Sequence, residues 1–220
     1  MESLILHTNL GKAEARLQVI DMMQRVGIPN PVERFNQYPH QMSGGLRQRA
    51  IIAMALICRP KLLIADEPTT ALDVTVQAQI FDLMQALRKE TKAAIILITH
   101  DMGSVAEMAE RAVVMYAGRK VEEGLVEDIL ARPKHPYTRG LIACVPHLLD
   151  SVTEERPYLQ EIPGMVPPLA AFGFDGCMFA PRCELATQDC LNRKPHTIQL
   201  SDSQSAACLN LQDTNTRADA

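Results

Sequence analysis

The apolar residues between positions 12 and 26 recur at the spacing of one face of an α-helix. Gly27 and Pro29 end this pattern, so we expect a helix over residues 12–26. Ser43 is a suitable N-cap for a second helix, which runs to Pro60. Because the second half of that helix is apolar nearly all round, we expect it to be buried.

Three short apolar runs alternate with two helical patterns in the next part of the chain. The runs cover residues 62–66, 93–99 and 111–118, and amphipathic helices are predicted at 74–88 and 102–110. Continuously apolar runs joined by helices are typical of parallel strands that are covered on both faces. We therefore predict an α/β fold with a parallel sheet, in the order strand, helix, strand, helix, strand.

Two more short helices are predicted after the sheet, at residues 122–132 and 136–144. Beyond residue 150 the sequence becomes rich in proline, glycine and cysteine, which indicates an irregular extension. We divide the chain into a helical part, an α/β part, connecting helices and a Cys-rich extension, with the bounds 1–60, 61–124, 125–150 and 151–220.

Charge and composition exclude some classes of protein. The chain has 22 basic and 26 acidic residues and a net charge of −4, without a basic stripe, so we predict no nucleic-acid partner. Its longest clean apolar run, residues 93–98, is far shorter than the roughly 18 residues that a membrane-spanning helix needs. The N-terminus lacks the pattern of a secretory signal peptide. We expect a cytosolic protein.

Polar side chains follow two of the predicted strands. Asp66 and Glu67 end the first, and Thr99 and His100 end the second. The carboxyl ends of parallel strands share the sheet edge at which ligands bind. There, one carboxylate can hold Mg²⁺ beside a nucleotide, a second can orient or deprotonate a water, and an imidazole can donate to a phosphate. Each motif alone also fits a polar turn or a structural histidine, but together they favour a phosphate site.

Ser43, Gly44 and Gly45 open the second helix. Free N–H groups at a helix start, aided by the helix dipole, attract anions. A simple N-cap with flexible glycines is the alternative. The 220 residues contain no G-x-x-x-x-G-K-[ST] sequence, and their one Gly-Lys pair, at positions 11 and 12, lacks the rest of that motif. The carboxylates therefore have no phosphate-binding P-loop within these residues.

These motifs, in this order, resemble the C-terminal part of an ABC transporter ATPase subunit. MSGGL (42–46) is similar to the signature motif, LLIADE (62–67) to the Walker B strand, TALD (70–73) to the D-loop and ITHD (98–101) to the switch-histidine segment. More narrowly, the chain resembles the oligopeptide and dipeptide importer branch in three places: YPHQMSGG (38–45), KHPYTRGL (134–141) and the cysteine-bearing tail. The resemblance implies a RecA-like parallel sheet, a helical signature subdomain and a Cys-rich irregular C-terminal extension.

The resemblance also implies ATP and Mg²⁺ as the bound groups, and a role for each candidate residue. By this resemblance Asp66 would bind Mg²⁺, Glu67 would polarise the hydrolytic water, and His100 would sense the γ-phosphate. Asp73 would lie at the dimer seam. Ser43, Gly44 and Gly45 would contact the ATP of a second subunit.

The chain departs from the family pattern in two respects. Leu46 stands where many members carry glutamine or methionine. The base-stacking aromatic residue, the P-loop and the Q-loop of the family would all precede Met1, so the sequence is similar to a subunit truncated at its N-terminus. We therefore expect no ATP hydrolysis and no tight ATP binding by the chain alone. We also expect poor solubility, because sheet edges would be exposed.

Four of the six cysteines cluster in the extension, with the spacing C-x5-C-x6-C-x17-C. Four thiolates can bind Zn²⁺ or an iron–sulfur cluster, but this spacing matches neither zinc fingers nor bacterial ferredoxins, and free thiols are a third possibility. By resemblance to importer subunits, a [4Fe-4S] cluster is favoured. Its candidate ligands are Cys177, Cys183, Cys190 and Cys208. The other two cysteines, Cys58 and Cys144, are expected to be small buried residues.

The leading interpretation is an ATPase subunit that energises the import of peptides or related small solutes. It would pair with a second ATPase subunit, dock on membrane permease subunits at the inner face of the cell membrane, and serve a substrate-binding protein indirectly. Two alternatives stay open: a non-catalytic partner that supplies signature residues in trans, and a metal-binding or redox module. A DNA-repair or translation protein of the ABC type is disfavoured by the importer-like segments.

Overall fold

A computed structural model of the protein describes residues 1–70, 72–145, 161–168 and 175–211. The chain divides into two units, residues 1–100 and residues 101–220. Parts of the predicted connecting segment and Cys-rich extension, together with Ala71 of the predicted D-loop, lie outside the described residues.

The first unit contains five α-helices and a short parallel sheet of two strands in its described residues. Its helices are α1 (Glu2–His7), α2 (Lys12–Arg25), α3 (Pro31–Arg34), α4 (Gly44–Leu56) and α5 (Val74–Thr91), and its strands are β1 (Leu62–Asp66) and β2 (Ala94–Ile98). The helices and strands predicted for this region are therefore present, with ends that differ by a few residues.

The two strands of the first unit run parallel, with Leu62 opposite Ala94 and Asp66 opposite Ile98. The N–H of Glu67 donates to the carbonyl of Ile98 at 2.9 Å, which extends the pairing one residue beyond β1. The residues that follow the two strands therefore lie at the same edge of the sheet.

Helix α4 packs against both α2 and α5. Arg49 of α4 strengthens this packing, since its guanidinium donates to the carbonyl of Val26 at 2.7 Å and to Oε1 of Gln79 at 3.2 Å. Gly27, with a φ of +73°, lets the Arg49 side chain approach, because a Cβ at this position would lie 2.8 Å from Nη1. The core of this unit includes Met22, Met23, Val26, Ile52, Leu56, Ile80, Phe81 and Met84.

Two predictions of complete burial, one for the second half of α4 and one for both faces of the parallel sheet, are wrong. Ile51 and Met54 in the second half of α4 are 52% and 61% exposed, because α2 and α5 cover only one side of that helix. The sheet is likewise covered on one face: exposure alternates along β1 and β2, and the exposed face carries Leu62, Ile64, Ile96 and Ile98. Cys58, predicted to be buried, is exposed, whereas Cys144 is half-buried.

An antiparallel sheet with the strand order β3-β4-β6-β5 organises the second unit. Its strands are β3 (Arg111–Tyr116), β4 (Arg119–Leu125), β5 (Ile198–Gln199) and β6 (Ser205–Ala206), and its helices are α6 (Met102–Met108), α7 (Val126–Ala131), α8 (Pro136–Ala143) and α9 (Gln188–Asn192). None of the helices in the described ranges combines the length and apolar character that crossing a membrane requires.

The third apolar run does not join the parallel sheet, contrary to the prediction. Ala117 and Gly118, with φ values of +48° and +74°, form a two-residue turn that leads β3 directly into β4. The predicted helix at 122–132 starts too early for the same reason: the hairpin partner occupies its first residues, and α7 covers only Val126–Ala131. The sequence pattern did not show that residues near 120 pair with β3.

The extension contributes two strands, β5 and β6, to this sheet, which the sequence also did not reveal. β6 pairs with β4, with Ala206 opposite Glu122. A hydrophobic core of Tyr116, Val121, Met178 and Phe179 then joins the extension to the hairpin. The rings of Tyr116 and Phe179 meet edge to face with centroids 5.2 Å apart.

Candidate functional site

Residues that follow β1 and β2 form a polar group at the edge of the parallel sheet. His100 Nδ1 lies 3.1 Å from Oε1 of Glu67, although 33 residues separate the two in the chain. Oγ1 of Thr70 donates to the other carboxylate oxygen, Oε2, at 2.8 Å. Asp66 ends β1 beside them. We refer to Asp66, Glu67, Thr70 and His100 as the strand-edge site.

The backbone of Glu67 helps to place its carboxylate. Its φ of +43° lies in the left-handed region, which costs a non-glycine residue free energy. The turn that follows returns Thr70 to the same carboxylate, and the N–H of Thr70 also donates to the Glu67 carbonyl at 3.2 Å. Functional sites often retain such local strain, and here it accompanies a carboxylate with two fixed hydrogen-bond partners.

The electrostatics of the strand-edge site favour an ionised Glu67. The hydrogen bond from Thr70, followed by the hydrogen bond from His100, lowers the pKa of Glu67 below its usual value. The Glu67 and His100 side chains are 45% and 81% exposed, so a water or a phosphate can reach both. An ionised carboxylate in this position can orient a water and accept a proton from it.

The donor set at this edge also suits Mg²⁺. Asp66 is exposed at the end of β1, where a carboxylate can bind Mg²⁺ directly or through water beside a phosphate. Mg²⁺ usually keeps several waters and takes only one or two protein carboxylates. The exposed carboxylate of Asp66 beside Glu67 therefore fits the ion that the sequence analysis implies.

The predicted signature residues lie at the start of α4. Ser43 is the exposed N-cap, and its Oγ accepts a hydrogen bond from the N–H of Leu46 at 3.4 Å. A Cβ at Gly45 would lie 2.9 Å from Cγ1 of Val76, and one at Gly44 would lie 3.4 Å from Leu72. Gly45 therefore allows α4 to approach α5 closely, which is a packing role that the sequence did not reveal.

Asp73 is exposed and is the N-cap of α5, where its Oδ1 accepts from the N–H of Val76 at 2.9 Å. This cap explains the residue type within the chain itself. A place for Asp73 at a dimer seam stays a prediction.

The four clustered cysteines come together in the second unit. Cys177, Cys183, Cys190 and Cys208 line one small cavity, together with His135. We refer to this cavity as the cysteine pocket. A backbone hydrogen bond connects two of the cysteine-bearing segments, since the N–H of Cys177 donates to the carbonyl of Cys190 at 2.7 Å.

The thiols of the cysteine pocket influence one another electrostatically. Burial raises the pKa of Cys177, and the nearby Cys190 and Cys208 raise it further. Burial likewise raises the pKa of Cys183 and of Cys208. Within the described ranges, however, no three His, Cys, Asp or Glu side chains are already placed to hold a single metal ion. The donor types therefore suit a thiolate-bound group, but the thiols are not at the spacing of a closed one-ion site.

A buried polar network lies next to this pocket. Glu122 is 1% exposed, and its carboxylate accepts from the N–H groups of Lys134 and His135 at 2.8 and 2.9 Å and from Nε2 of Gln204 at 2.9 Å. These bonds fix the segment that leads into α8. Thr70, Glu122 and His135 were not identified individually from the sequence; the segment KHPYTRGL was the one signal for His135.

Comparisons with known proteins identify the family. Residues 2–70 match the family described as ABC transporter, and residues 121–190 match the family described as oligopeptide/dipeptide transporter, C-terminal region.

Similar proteins extend the match over nearly the whole chain. A peptide import ATP-binding protein of Brucella ovis is 50% identical over 96% of this chain and 63% of its own length. The dipeptide transport ATP-binding proteins of Bacillus subtilis and Escherichia coli are 48% and 44% identical, over 96% and 94% of this chain and 62% of their own lengths. The chain thus spans somewhat more than three fifths of these relatives, and it belongs to the ABC transporter ATP-binding proteins of the oligopeptide and dipeptide transporter branch.

Proposed function

We propose that these residues form the signature and hydrolysis region of an ATP-binding, ATP-hydrolysing subunit that energises the import of peptides or related small solutes. The observation that carries the proposal is the carboxylate of Glu67, held by Thr70 and His100 at the strand edge beside Asp66. The printed names of the relatives, which are peptide and dipeptide transport proteins, support the class of solute.

In this proposal ATP with Mg²⁺ supplies the phosphoanhydride bond and a cation that neutralises its charge. Asp66 would hold the ion. Glu67 orients the attacking water and accepts its proton, because it is ionised and open to solvent. The bond that breaks joins the γ-phosphorus to the bridging oxygen, and the products are ADP and phosphate.

The hydrogen bond between Glu67 and His100 constrains how the histidine acts. An ionised carboxylate can only accept, so Nδ1 of His100 carries the shared proton. In a neutral ring, Nε2 is then an acceptor and cannot donate to a phosphate. His100 would therefore contact the γ-phosphate as an imidazolium, or after it has turned away from Glu67. This dependence suits a residue that senses whether the phosphate is present.

The signature residues would act on a nucleotide held by another subunit. Ser43 is exposed at the N-terminus of α4, a helix of 13 residues whose dipole favours an anion. ATP bound to the P-loop of a second ATPase subunit would lie against it. The pair would dock on permease subunits at the cytoplasmic side of the membrane, and a substrate-binding protein would deliver the solute to those permeases.

Gly44→Asp tests this proposal by placing a negative charge where the partner's phosphates would lie. Wild-type protein should bind a P-loop-bearing ATPase subunit of the same transporter at least about tenfold more tightly with ATP than without it, and the variant should lose this difference. Association is measured by biolayer interferometry under conditions that prevent ATP hydrolysis. Equal binding of the wild type with and without ATP would contradict the proposal.

Gly11→Asp is the matched control for that experiment. Gly11 is the N-cap of α2, and a Cβ there meets no atom within 4 Å. The same charge is thus added at the start of another helix in the same unit, and ATP-dependent association should be unchanged. Both variants place aspartate where helix starts tolerate it, so the fold should persist.

The convergence of four thiols supports a second candidate function, the binding of a [4Fe-4S] cluster by the cysteine pocket. After anaerobic incubation with iron and sulfide, we expect the wild-type chain to be brown and Cys183→Ser to hold much less cluster. Cys58→Ser, which changes an exposed cysteine outside the pocket, is the control and should retain the colour. A colourless wild type, with or without retained zinc, would refute the cluster.

A further inference from the structure

His135 occupies an unusual position for a polar side chain. It is 2% exposed, it lines the cysteine pocket, and its ring packs against Phe179 with centroids 5.8 Å apart. Its Nδ1 accepts a hydrogen bond from the N–H of Tyr137 at 3.1 Å, which caps α8.

These contacts determine where the ring carries its proton. Because Nδ1 accepts from a backbone N–H, the proton of the neutral ring is on Nε2. Burial lowers the pKa of His135 to about 4, so the ring is neutral near pH 7. The pocket is therefore lined by a neutral imidazole that carries its N–H at Nε2.

The surroundings of His135 hold this donor in one orientation. Glu122 accepts the backbone N–H of His135, and Oε1 of Glu122 accepts from the preceding residue, Lys134. The cap to Tyr137 fixes the ring itself. The segment KHPYTRGL therefore holds the His135 ring in a fixed position in the lining of the pocket.

We propose that Nε2–H of His135 donates a hydrogen bond to a sulfur of the group held by the four cysteines, and so makes that group easier to reduce. The inference rests on the proposed [4Fe-4S] cluster. An N–H donor near a cluster sulfur stabilises added negative charge, and outer hydrogen bonds of this kind are among the features that set cluster potentials. His135 is thus a positioning and tuning residue, which holds no iron itself.

His135→Asn separates the donor from the helix cap. Asparagine is a good N-cap, so α8 should still form, but its side chain is too short to place a donor where Nε2 of His135 lies. In the anaerobically reconstituted full chain, titrated with dithionite and mediator dyes, we expect a potential lower by about 59 mV, which corresponds to a tenfold change in a one-electron equilibrium. His135→Gln, which retains an amide donor near the Nε2 position, should restore most of the wild-type potential.

The control applies the same change to an exposed histidine, His196→Asn, and should leave the potential unchanged. Equal potentials for the wild type and His135→Asn would overturn the inference while leaving the cluster proposal intact. A wild-type chain that assembles no cluster would overturn both.

A second measurement needs no substitution at His135. In wild-type chain labelled with ¹⁵N-histidine, the reduced cluster should show a weakly coupled nitrogen by pulsed electron paramagnetic resonance, because His135 is the histidine that lines the pocket in the described ranges. No detectable histidine coupling would count against the hydrogen bond, even if His135→Asn failed to fold.

Discussion

Glu67→Gln should lower ATP hydrolysis by at least about 100-fold in a transporter whose ATPase subunit contains these residues together with a P-loop. Glutamine has nearly the same shape and can still accept from Thr70, but it cannot take a proton from the attacking water. ATP-dependent association should therefore persist. Phosphate release by the assembled transporter measures the first effect, and subunit association measures the second.

Glu33→Gln is the matched control for this prediction, because Glu33 is exposed on α3 and belongs to no candidate site. Its hydrolysis rate should equal that of the wild type. Unchanged turnover in Glu67→Gln would remove Glu67 from the catalytic role. It would leave the alternative in which the chain supplies signature residues to a catalytic partner.

The partners of Glu67 add a pH dependence to the same prediction. The hydrogen bond from Thr70 is the leading cause of the lowered pKa of Glu67, so Thr70→Val should raise that pKa toward its ordinary value. Glu67 would then take up a proton at a higher pH, and the acid limb of the hydrolysis profile should move upward in pH. Carboxyl ¹³C shifts of Glu67 report the pKa directly, and Thr70→Ser, which keeps the hydroxyl, should behave like the wild type.

Glu122→Ala should reduce the free energy of unfolding by about 3–5 kcal/mol, the largest stability effect we expect from one substitution. The substitution removes the buried carboxylate that accepts from three N–H donors, on Lys134, His135 and Gln204. It also opens a cavity next to α8. Urea unfolding monitored by tyrosine fluorescence, to which Tyr116 and Tyr137 of the second unit contribute, measures the change.

The adjacent carboxylate provides the comparison for Glu122. Glu123 is partly exposed and pairs with Arg111 at 3.3 Å and Lys120 at 2.7 Å. Such surface pairs contribute about 0–1 kcal/mol, so Glu123→Ala should change stability little. If both variants lost the same stability, the buried network would not be the cause of the effect.

Local signals predicted the longer helices and both strands of the first unit, but not the short helices α1 and α3. The apolar periodicity before Gly27 predicted α2, and Ser43 marked the start of α4. The apolar runs before Asp66 and before Thr99 predicted two strands, and their pairing is parallel. These elements are set by periodicity, caps and breakers, all of which act over a few residues.

Pairing between distant segments was less predictable. The run before Ala117 has the same apolar character as β1 and β2, but a two-residue turn sends it into a hairpin with β4. Nothing in the composition near Ser205 marks a strand, and only the edge offered by β4 makes it one. Strand pairing depends on which edges meet in space, and a run of apolar residues does not specify its partner.

The candidate sites likewise depend on local sequence for their residue types and on long-range packing for their geometry. The sequence by itself determined which residue types stand at the strand ends, at the start of α4 and in the cysteine-rich tail, because motif order and spacing are local properties. Only the tertiary structure decided that His100 and Thr70 hold the two oxygens of Glu67, and that His135 lines one cavity with four cysteines. Hydrogen bonds and pKa values depend on distances of a few ångströms between groups remote in the chain, which are set when the elements pack.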